Sequence, residues 1–329
     1  MYYISIKKED WHRSLENLLT SHDIFVPVKD EYSLDYEPFR LNQAENIAYN
    51  TPKPATPLKN FFLPVRENVT SARNNGRPRI IIGAPNCDIE ALGLLDEIYL
   101  DEAFADPFYR NRRKSTILVS SDCFSVNEHC HCTSYGVRPY TTEKSDMALL
   151  SDGDEIFLRV ISEKGEDLVR QLLSASGVND PERLLFADSR HMETEALLAE
   201  RNIGLPDYIA TGEIVQRAGD HIWIKYASKC VSCGACTTIC PTCSCFLLID
   251  KPDFEKVKQT DACQYPGFQR VAGGEDALFE LPNRFRNRYM CKYVWKPQKF
   301  RSLACTGCGR CIEACIGSIN KNELFMELT

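Results

Sequence analysis

Short apolar runs in the first half of the chain predict buried strands that alternate with helices. Residues 80–82 are all isoleucine and are closed by Gly83 and Pro85, a pattern typical of a buried strand. Asp88 is the predicted N-cap of the next helix, and a second buried strand is predicted over residues 115–121. This strand–helix–strand order predicts two parallel strands joined by a right-handed crossover.

The remaining pattern of the first two thirds is also mixed α/β. Strands are predicted over residues 24–28 and 154–162, and a helix over residues 166–176. The Pro- and Thr-rich residues 50–58 are a predicted loop, and residues 177–228 are predicted to form short helical and extended pieces.

Sixteen cysteines among the 329 residues add chemistry to this picture. Four lie between Cys87 and Cys132, and twelve lie between Cys230 and Cys315. Clustered thiols in a chain without a secretory signal are typical of metal ligands rather than of disulfides. We therefore predict an α/β domain with an N-terminal iron–sulfur cluster over residues 1–225. A mostly α-helical, ferredoxin-like dicluster domain, with a long insertion between its two cysteine motifs, is predicted over residues 226–329.

Composition and charge exclude several classes of function. The chain is 43% hydrophobic and 26% charged, and its formal net charge is −7. An acidic balance disfavours binding to a phosphate backbone, so we expect no nucleic-acid partner. No apolar run approaches the roughly 20 residues of a membrane-spanning helix, so we expect no membrane partner. The N-terminal residues lack the apolar core of a signal peptide, which predicts a cytoplasmic location.

Two cysteine motifs follow the pattern C-x2-C-x2-C-x3-C, which is typical of bacterial ferredoxins. In that pattern three thiolates bind one [4Fe–4S] cluster and the fourth binds the other cluster. The predicted ligands of the first cluster are Cys230, Cys233, Cys236 and Cys315. The predicted ligands of the second cluster are Cys305, Cys308, Cys311 and Cys240. A structural zinc site is the alternative, but zinc sites commonly use two C-x2-C pairs, and each motif here has a third and a fourth cysteine. Ile316 stands where proline is usual after the second motif.

A third group of cysteines follows the two buried strands. The carboxyl ends of parallel strands meet at one edge of a sheet, where ligands gather, so Cys87 and Cys123 are expected to lie close together. The predicted ligands of a third [4Fe–4S] cluster are Cys87, Cys123, Cys130 and Cys132. The alternatives are buried structural cysteines, or a zinc site that includes His129 or His131.

The remaining four cysteines repeat the arrangement of a C-x-C pair with two distant thiols. The predicted ligands of a fourth [4Fe–4S] cluster are Cys243, Cys245, Cys263 and Cys291. In the alternative interpretation, Cys243 and Cys245 simply pack beside the cluster of Cys240.

Basic residues are concentrated around Cys291. They are Arg284, Arg286, Arg288, Lys292, Lys296, Lys299 and Arg301. Such residues offset the negative charge of thiolate clusters or dock an acidic partner. A solvated charged face is the alternative.

Sequence signatures of a substrate or nucleotide site are missing. There is no G-x-G-x-x-G fingerprint, no Walker A motif, no G-x-S-x-G elbow and no H-E-x-x-H motif. Several clusters without an evident substrate site predict an electron conduit.

The motifs together resemble a known family. Five segments are similar to the beta subunit of cytoplasmic NAD(P)-linked nickel–iron hydrogenases, which are also called sulfhydrogenases. They are CVSCGACTTICPTCSC, DACQYPGF, CTGCGRC, PNCDIEALGLLDEIYLDE and HCHCTS. The A subunit of anaerobic sulfite reductase has a similar layout. The resemblance implies a flavoprotein NAD(P)H-reactive partner and a catalytic partner such as a nickel–iron hydrogenase.

We therefore expect an iron–sulfur electron-transfer subunit of a hydrogenase-type complex. One alternative is the relay subunit of an anaerobic sulfite reductase. Another is a reductase that acts at a site-differentiated cluster held by the fourth group of cysteines. A zinc-stabilised binding module is the last alternative.

Overall fold

The computed structural model describes residues 2–70, 76–172, 175–177 and 181–329. Its strands are β1 (Tyr2–Lys7), β2 (Asp23–Lys29), β3 (Leu34–Pro38), β4 (Arg66–Asn68), β5 (Arg79–Ala84), β6 (Thr116–Ser121), β7 (Met147–Asp152), β8 (Glu155–Val160), β9 (Ser176–Gly177), β10 (Phe246–Asp250) and β11 (Lys256–Thr260). Its α-helices are α1 (Lys8–Leu18), α2 (Asn86–Tyr99), α3 (Pro107–Lys114), α4 (Glu163–Val169), α5 (Pro181–Arg201), α6 (Gly212–Arg217), α7 (Asp220–Ala227), α8 (Ala235–Thr238), α9 (Leu281–Met290), α10 (Lys296–Phe300), α11 (Arg310–Glu313) and α12 (Lys321–Leu328).

A mixed sheet forms the centre of the N-terminal part. Eight strands within the described ranges pair in the order β3-β2-β5-β6-β7-β8-β1-β9. The pairs β2–β5, β5–β6 and β6–β7 are parallel, and the other pairs in this sheet are antiparallel. The predicted α/β character of this part is therefore observed.

The predicted strand–helix–strand unit is confirmed. β5 pairs with β6 in parallel, with Ile80 opposite Ile117 and Ile82 opposite Val119. Helix α2 connects the two strands, but it begins at Asn86 with Pro85 as the residue before it. The prediction that Asp88 caps this helix is wrong, because Asp88 lies inside the first turn and its carboxylate binds Arg310 instead.

Apolar residues cover both faces of the sheet. Ile80 and Ile82 face the cluster built around helix α1, whereas Ile81 faces the cluster built around helix α2. This alternation follows from the two-residue period of a strand. Both faces of the central strands are therefore buried.

The C-terminal part has an aromatic core beside a small sheet. Tyr, Trp and Phe side chains from α7 and α9 form one cluster with the fully buried Phe325 of α12. Within the described residues, β10, β11 and β4 form an antiparallel sheet of three strands. The long insertion between the cysteine motifs thus contains a β-hairpin as well as helices. Its strand β11 pairs with β4, which lies before the predicted boundary near residue 225; the division into two domains stays a prediction.

Two further features complete the fold. The prediction of short pieces over residues 177–228 is wrong for α5, which runs for 21 residues from Pro181 to Arg201. The predicted helix over residues 166–176 is shorter than expected, since α4 ends at Val169, and residues 173–174 lie outside the described part. Among the residues that the structure describes, no helix has the length and apolar character needed to cross a bilayer.

Candidate iron–sulfur sites

The four cysteines of the N-terminal quartet, Cys87, Cys123, Cys130 and Cys132, converge on one cavity. It has a volume of about 30 Å³ and is lined by all four thiols. Cys87 lies in the first turn of α2, directly after β5, and Cys123 follows β6. Burial raises the pKa of both Cys87 and Cys123 well above the ordinary cysteine value. These thiols are therefore expected to lose their protons when a metal binds, since binding and deprotonation are coupled.

The cysteines of the first quartet, Cys230, Cys233, Cys236 and Cys315, line a second cavity of about 40 Å³. Two backbone N–H groups point at its sulfurs: Ser232 N donates to Cys230 Sγ at 3.4 Å, and Ile319 N donates to Cys315 Sγ at 3.3 Å. Hydrogen bonds of this kind help to set cluster potentials. Cys233 is exposed, so this quartet lies at the protein surface.

The central quartet consists of Cys240, Cys305, Cys308 and Cys311. Cys240 lies close enough to Cys305 and Cys308 for its charge to act to raise the pKa of both thiols. Cys311 acts on the pKa of Cys308 in the same direction. Cys240 and Cys308 are buried. The neighbouring Cys243 thiol and the charge of Lys292 hold the pKa of Cys240 well below the ordinary value, although burial acts in the opposite direction.

The fourth quartet consists of Cys243, Cys245, Cys263 and Cys291. The neighbouring Cys263 thiol, burial, and the charges of Cys243 and Cys291 raise the pKa of Cys245 well above the ordinary cysteine value. All four predicted members are thus neighbours. Cys243 N also donates to the Cys240 carbonyl at 3.3 Å, so Cys243 lies beside the central quartet, as the alternative interpretation expects.

The central quartet borders each of the other three. Cys308 lines the cavity of the N-terminal quartet, and Cys311 lines the cavity of the first quartet. Cys240 contacts Cys243 of the fourth quartet. The sequence predicts which cysteines group together, but it does not predict this branched arrangement.

Two glycines allow the central motif to approach the N-terminal quartet. Gly307 and Gly309 have φ angles of +65° and +78°, and a Cβ at either position collides with the backbone carbonyl of His131 or His129 respectively. His131 N also donates to the Gly307 carbonyl at 2.9 Å. The C-T-G-C-G-R-C segment therefore packs directly on the C-H-C segment.

Buried cations surround the four quartets. They are Lys53, Lys59, Arg284, Arg288, Lys292, Arg310 and Lys321. Lys53 Nζ lies 3.6 Å from Cys130 Sγ, and Lys292 Nζ lies 3.1 Å from Cys240 Sγ. Within the described part of the chain, Lys53 and Arg310 have carboxylate partners, whereas Lys59, Arg288, Lys292 and Lys321 have none.

Unpaired buried cations are costly, so their presence here needs an anionic neighbour. Removing an ion from water costs several kcal/mol, and this cost is recovered only by a nearby opposite charge. Burial on its own lowers the pKa of Lys292, but the sulfurs of Cys240 and Cys243 outweigh it and place the pKa well above the ordinary lysine value. A thiolate-ligated cluster carries net negative charge, so this environment fits such a group.

The basic residues around Cys291 differ in burial. Arg284, Arg288 and Lys292 are buried, and the pKa of Arg288 is raised by Cys236 and Cys311 against the effect of burial. Lys299 and Arg301 are exposed. The three buried residues therefore fit the interpretation that basic residues offset the negative charge of the thiols. The exposed residues fit the alternative of a solvated charged face.

Sequence reasoning missed Lys53, Lys59, Arg310 and Lys321. Arg310 and Lys321 lie in or close to the second cysteine motif, so their position along the chain was a usable signal. Lys53 lies in the predicted loop of residues 50–58, and Lys59 directly follows it. No cysteine motif lies near either residue along the chain, so the sequence carries no signal for them.

A single-ion metal site is not formed in the described residues. In this part of the chain, no group of three or more His, Cys, Asp or Glu side chains is arranged closely enough to hold one metal ion.

Comparisons with known proteins agree with the cysteine pattern. Residues 229–319 match the model of the 4Fe-4S dicluster domain. Over 342 aligned positions the chain is 28% identical to sulfhydrogenase 2 subunit beta of Pyrococcus furiosus, and the alignment covers all of this chain and 98% of that protein. The resemblance to sulfhydrogenase beta subunits is thus confirmed along the whole chain, and residues 229–319 are similar to an iron–sulfur dicluster domain.

Proposed function

We propose that this chain is the iron–sulfur electron-transfer subunit of a hydrogenase-type complex. It relays electrons between a flavoprotein subunit that reacts with NAD(P)H and a catalytic subunit such as a nickel–iron hydrogenase. The full-length similarity to a sulfhydrogenase beta subunit supports this role. The observation that carries it is the set of buried cations without carboxylate partners beside grouped thiols.

We assign four [4Fe–4S] clusters to the first, central, N-terminal and fourth quartets. A bound [4Fe–4S] cluster supplies a centre that accepts and releases one electron at a time. The cysteines hold each centre in place. The backbone N–H groups of Ser232 and Ile319 stabilise negative charge on the sulfurs of Cys230 and Cys315. Because the central quartet borders the other three, it is the branch point of the relay.

The first quartet is the proposed point of exchange with a partner. Cys233 is exposed, and the neighbouring Val231 and Ile316 are 62% and 74% exposed. Apolar residues at a ligand loop favour a protein partner over solvent. A permanent subunit contact is expected to bury more than about 2,000 Å² in total.

Iron and sulfide analysis of anaerobically purified protein tests the proposal. Four clusters correspond to about 16 iron atoms per chain. Three serine variants are each expected to remove one cluster and its paramagnetic resonance signal. They are Cys233→Ser in the first quartet, Cys308→Ser in the central quartet and Cys87→Ser in the N-terminal quartet. Val231→Ala, next to the first quartet, is the matched control and should retain the parent's iron content. Colourless protein with zinc and without sulfide would disprove the relay.

A second candidate is a reductase that acts at the fourth quartet. It is favoured by a cavity of about 240 Å³ that is lined by Cys243 and Cys245 together with Lys258 and Tyr265. This candidate requires the isolated chain, supplied with a chemical reductant, to turn over a small acceptor. The relay predicts no turnover without partner subunits, and co-purified subunits distinguish a hydrogenase from an anaerobic sulfite reductase.

A further inference from the structure

Lys292 is held against a proposed cluster ligand by three contacts. Its Nζ donates to Cys240 Sγ at 3.1 Å, to Thr242 Oγ1 at 2.8 Å and to the Ala304 carbonyl at 2.8 Å. The residue is only 3% exposed. None of the three partners is a carboxylate, and of the three the sulfur of Cys240 is the one able to carry a balancing negative charge.

The backbone around Lys292 fixes the position of its ammonium group. Lys292 lies in a wide helical turn, Cys291–Trp295, which joins α9 to α10. The following residues Tyr293 and Val294 are buried, and Ala304 N donates to the Lys292 carbonyl at 3.2 Å. Wide turns of this type occur frequently at functional sites. The ammonium group therefore cannot move into solvent without disrupting the aromatic core.

The cation beside the N-terminal quartet is in a different situation. Lys53 Nζ lies 3.6 Å from Cys130 Sγ, but it also binds Glu313 Oε1 at 2.8 Å. The carboxylate offsets much of the charge that Lys53 presents to the thiols. Lys292 has no such partner, so its full charge acts on the central quartet.

Resting on the proposed cluster assignment, we propose that Lys292 is a positioning residue that sets the order of reduction. Its ammonium group raises the reduction potential at the central quartet above the potential at the N-terminal quartet. Reduction adds one electron, taken from a reduced neighbour that loses one electron, and no proton moves. A fixed positive charge near a ligand sulfur in a buried site stabilises the added negative charge. Electrons therefore collect at the branch point before they leave along one of its arms.

A potentiometric titration followed by paramagnetic resonance on the full-length, anaerobically purified chain tests this inference. The signal lost in Cys308→Ser identifies the central quartet, and the signal lost in Cys87→Ser identifies the N-terminal quartet. In the parent, the central signal should appear first as the potential is lowered. In Lys292→Gln, the midpoint of the central signal should move to more negative potential, and the N-terminal midpoint should move less.

Two further variants make the test specific. Lys299→Gln removes the same charge from an exposed position in α10 and should leave both midpoints unchanged. Lys292→Met is titrated if Lys292→Gln does not retain the central signal. An unchanged midpoint in a loaded Lys292 variant overturns the inference, as does an equal shift in Lys299→Gln. Loss of the central signal in both Lys292 variants also overturns it, because Lys292 is then needed for loading. A parent chain without iron and sulfide would instead refute the proposed function.

Discussion

Arg310 and Asp88 form a buried, two-pronged ion pair that joins the two halves of the chain. Arg310 Nη1 binds Asp88 Oδ1 at 2.6 Å, and Nη2 binds Asp88 Oδ2 at 2.9 Å. Both side chains are about 1% exposed or less. Arg310 lies between Cys308 and Cys311, whereas Asp88 directly follows Cys87. The pair therefore fixes the central quartet relative to the N-terminal quartet.

Asp88→Asn should destabilise the protein by about 3–5 kcal/mol, because it leaves the Arg310 charge buried without its partner. Chemical denaturation of anaerobic protein, with iron content measured in parallel, checks this change. The double variant Asp88→Leu with Arg310→Met should be less destabilised than Asp88→Asn, since no charge is left unpaired. Glu327→Gln, which breaks the exposed pair with Lys225, is the control and should have little effect. Stability of Asp88→Asn equal to that of the parent would contradict this prediction.

Gly307→Ala should lower both thermal stability and iron retention. The added Cβ collides with the carbonyl of His131, and the left-handed φ of +65° adds backbone strain of about 1–2 kcal/mol. Gly274→Ala is a matched control, because Gly274 has a φ of +88° but nothing within 4 Å of its Cβ position. A thermal melt combined with iron analysis measures both variants. Equal losses in the two variants would show that the close approach to His131 contributes nothing.

Cys291→Ser tests whether the fourth quartet holds a cluster. If it does, the variant should lose about four iron atoms per chain, because a [4Fe–4S] cluster requires four thiolates. If Cys243 and Cys245 only pack beside the central quartet, the iron content should stay at the parent's value. Ser302→Ala, a small change at a half-buried residue near the second cysteine motif, should keep all of the iron.

The stability of the α/β part should decrease as the pH falls below about 6.5, the ordinary histidine pKa. Burial lowers the pKa of His12, and the adjacent Lys8 lowers it further. The unfolded chain therefore binds more protons than the folded chain in this range, so acid favours unfolding. Thermal midpoints between pH 5 and pH 7 should depend less on pH in His12→Gln than in the parent. An identical pH dependence in both proteins would exclude His12 as the cause.

Local patterns are sufficient to predict much of the fold, and they place the four thiols of the N-terminal quartet at one cavity. The apolar run at residues 80–82 predicts β5 because strand formation and burial depend on a few adjacent residues. The position of Cys87 and Cys123 follows from parallel pairing, which needs only the order of the elements. The start of α2 was mispredicted because Asp88 is also a suitable cap, and its actual partner lies more than 200 positions away.

The sequence by itself determined the spacing of the proposed iron ligands, because C-x2-C-x2-C-x3-C is a property of a few consecutive residues. Only the tertiary structure decided that the central quartet borders the other three, and that Lys53, Lys59 and Lys292 lie among the thiols. These relationships join segments that are distant along the chain. They are fixed by packing of the sheet, the aromatic core and the glycine contacts, and no local pattern encodes that packing.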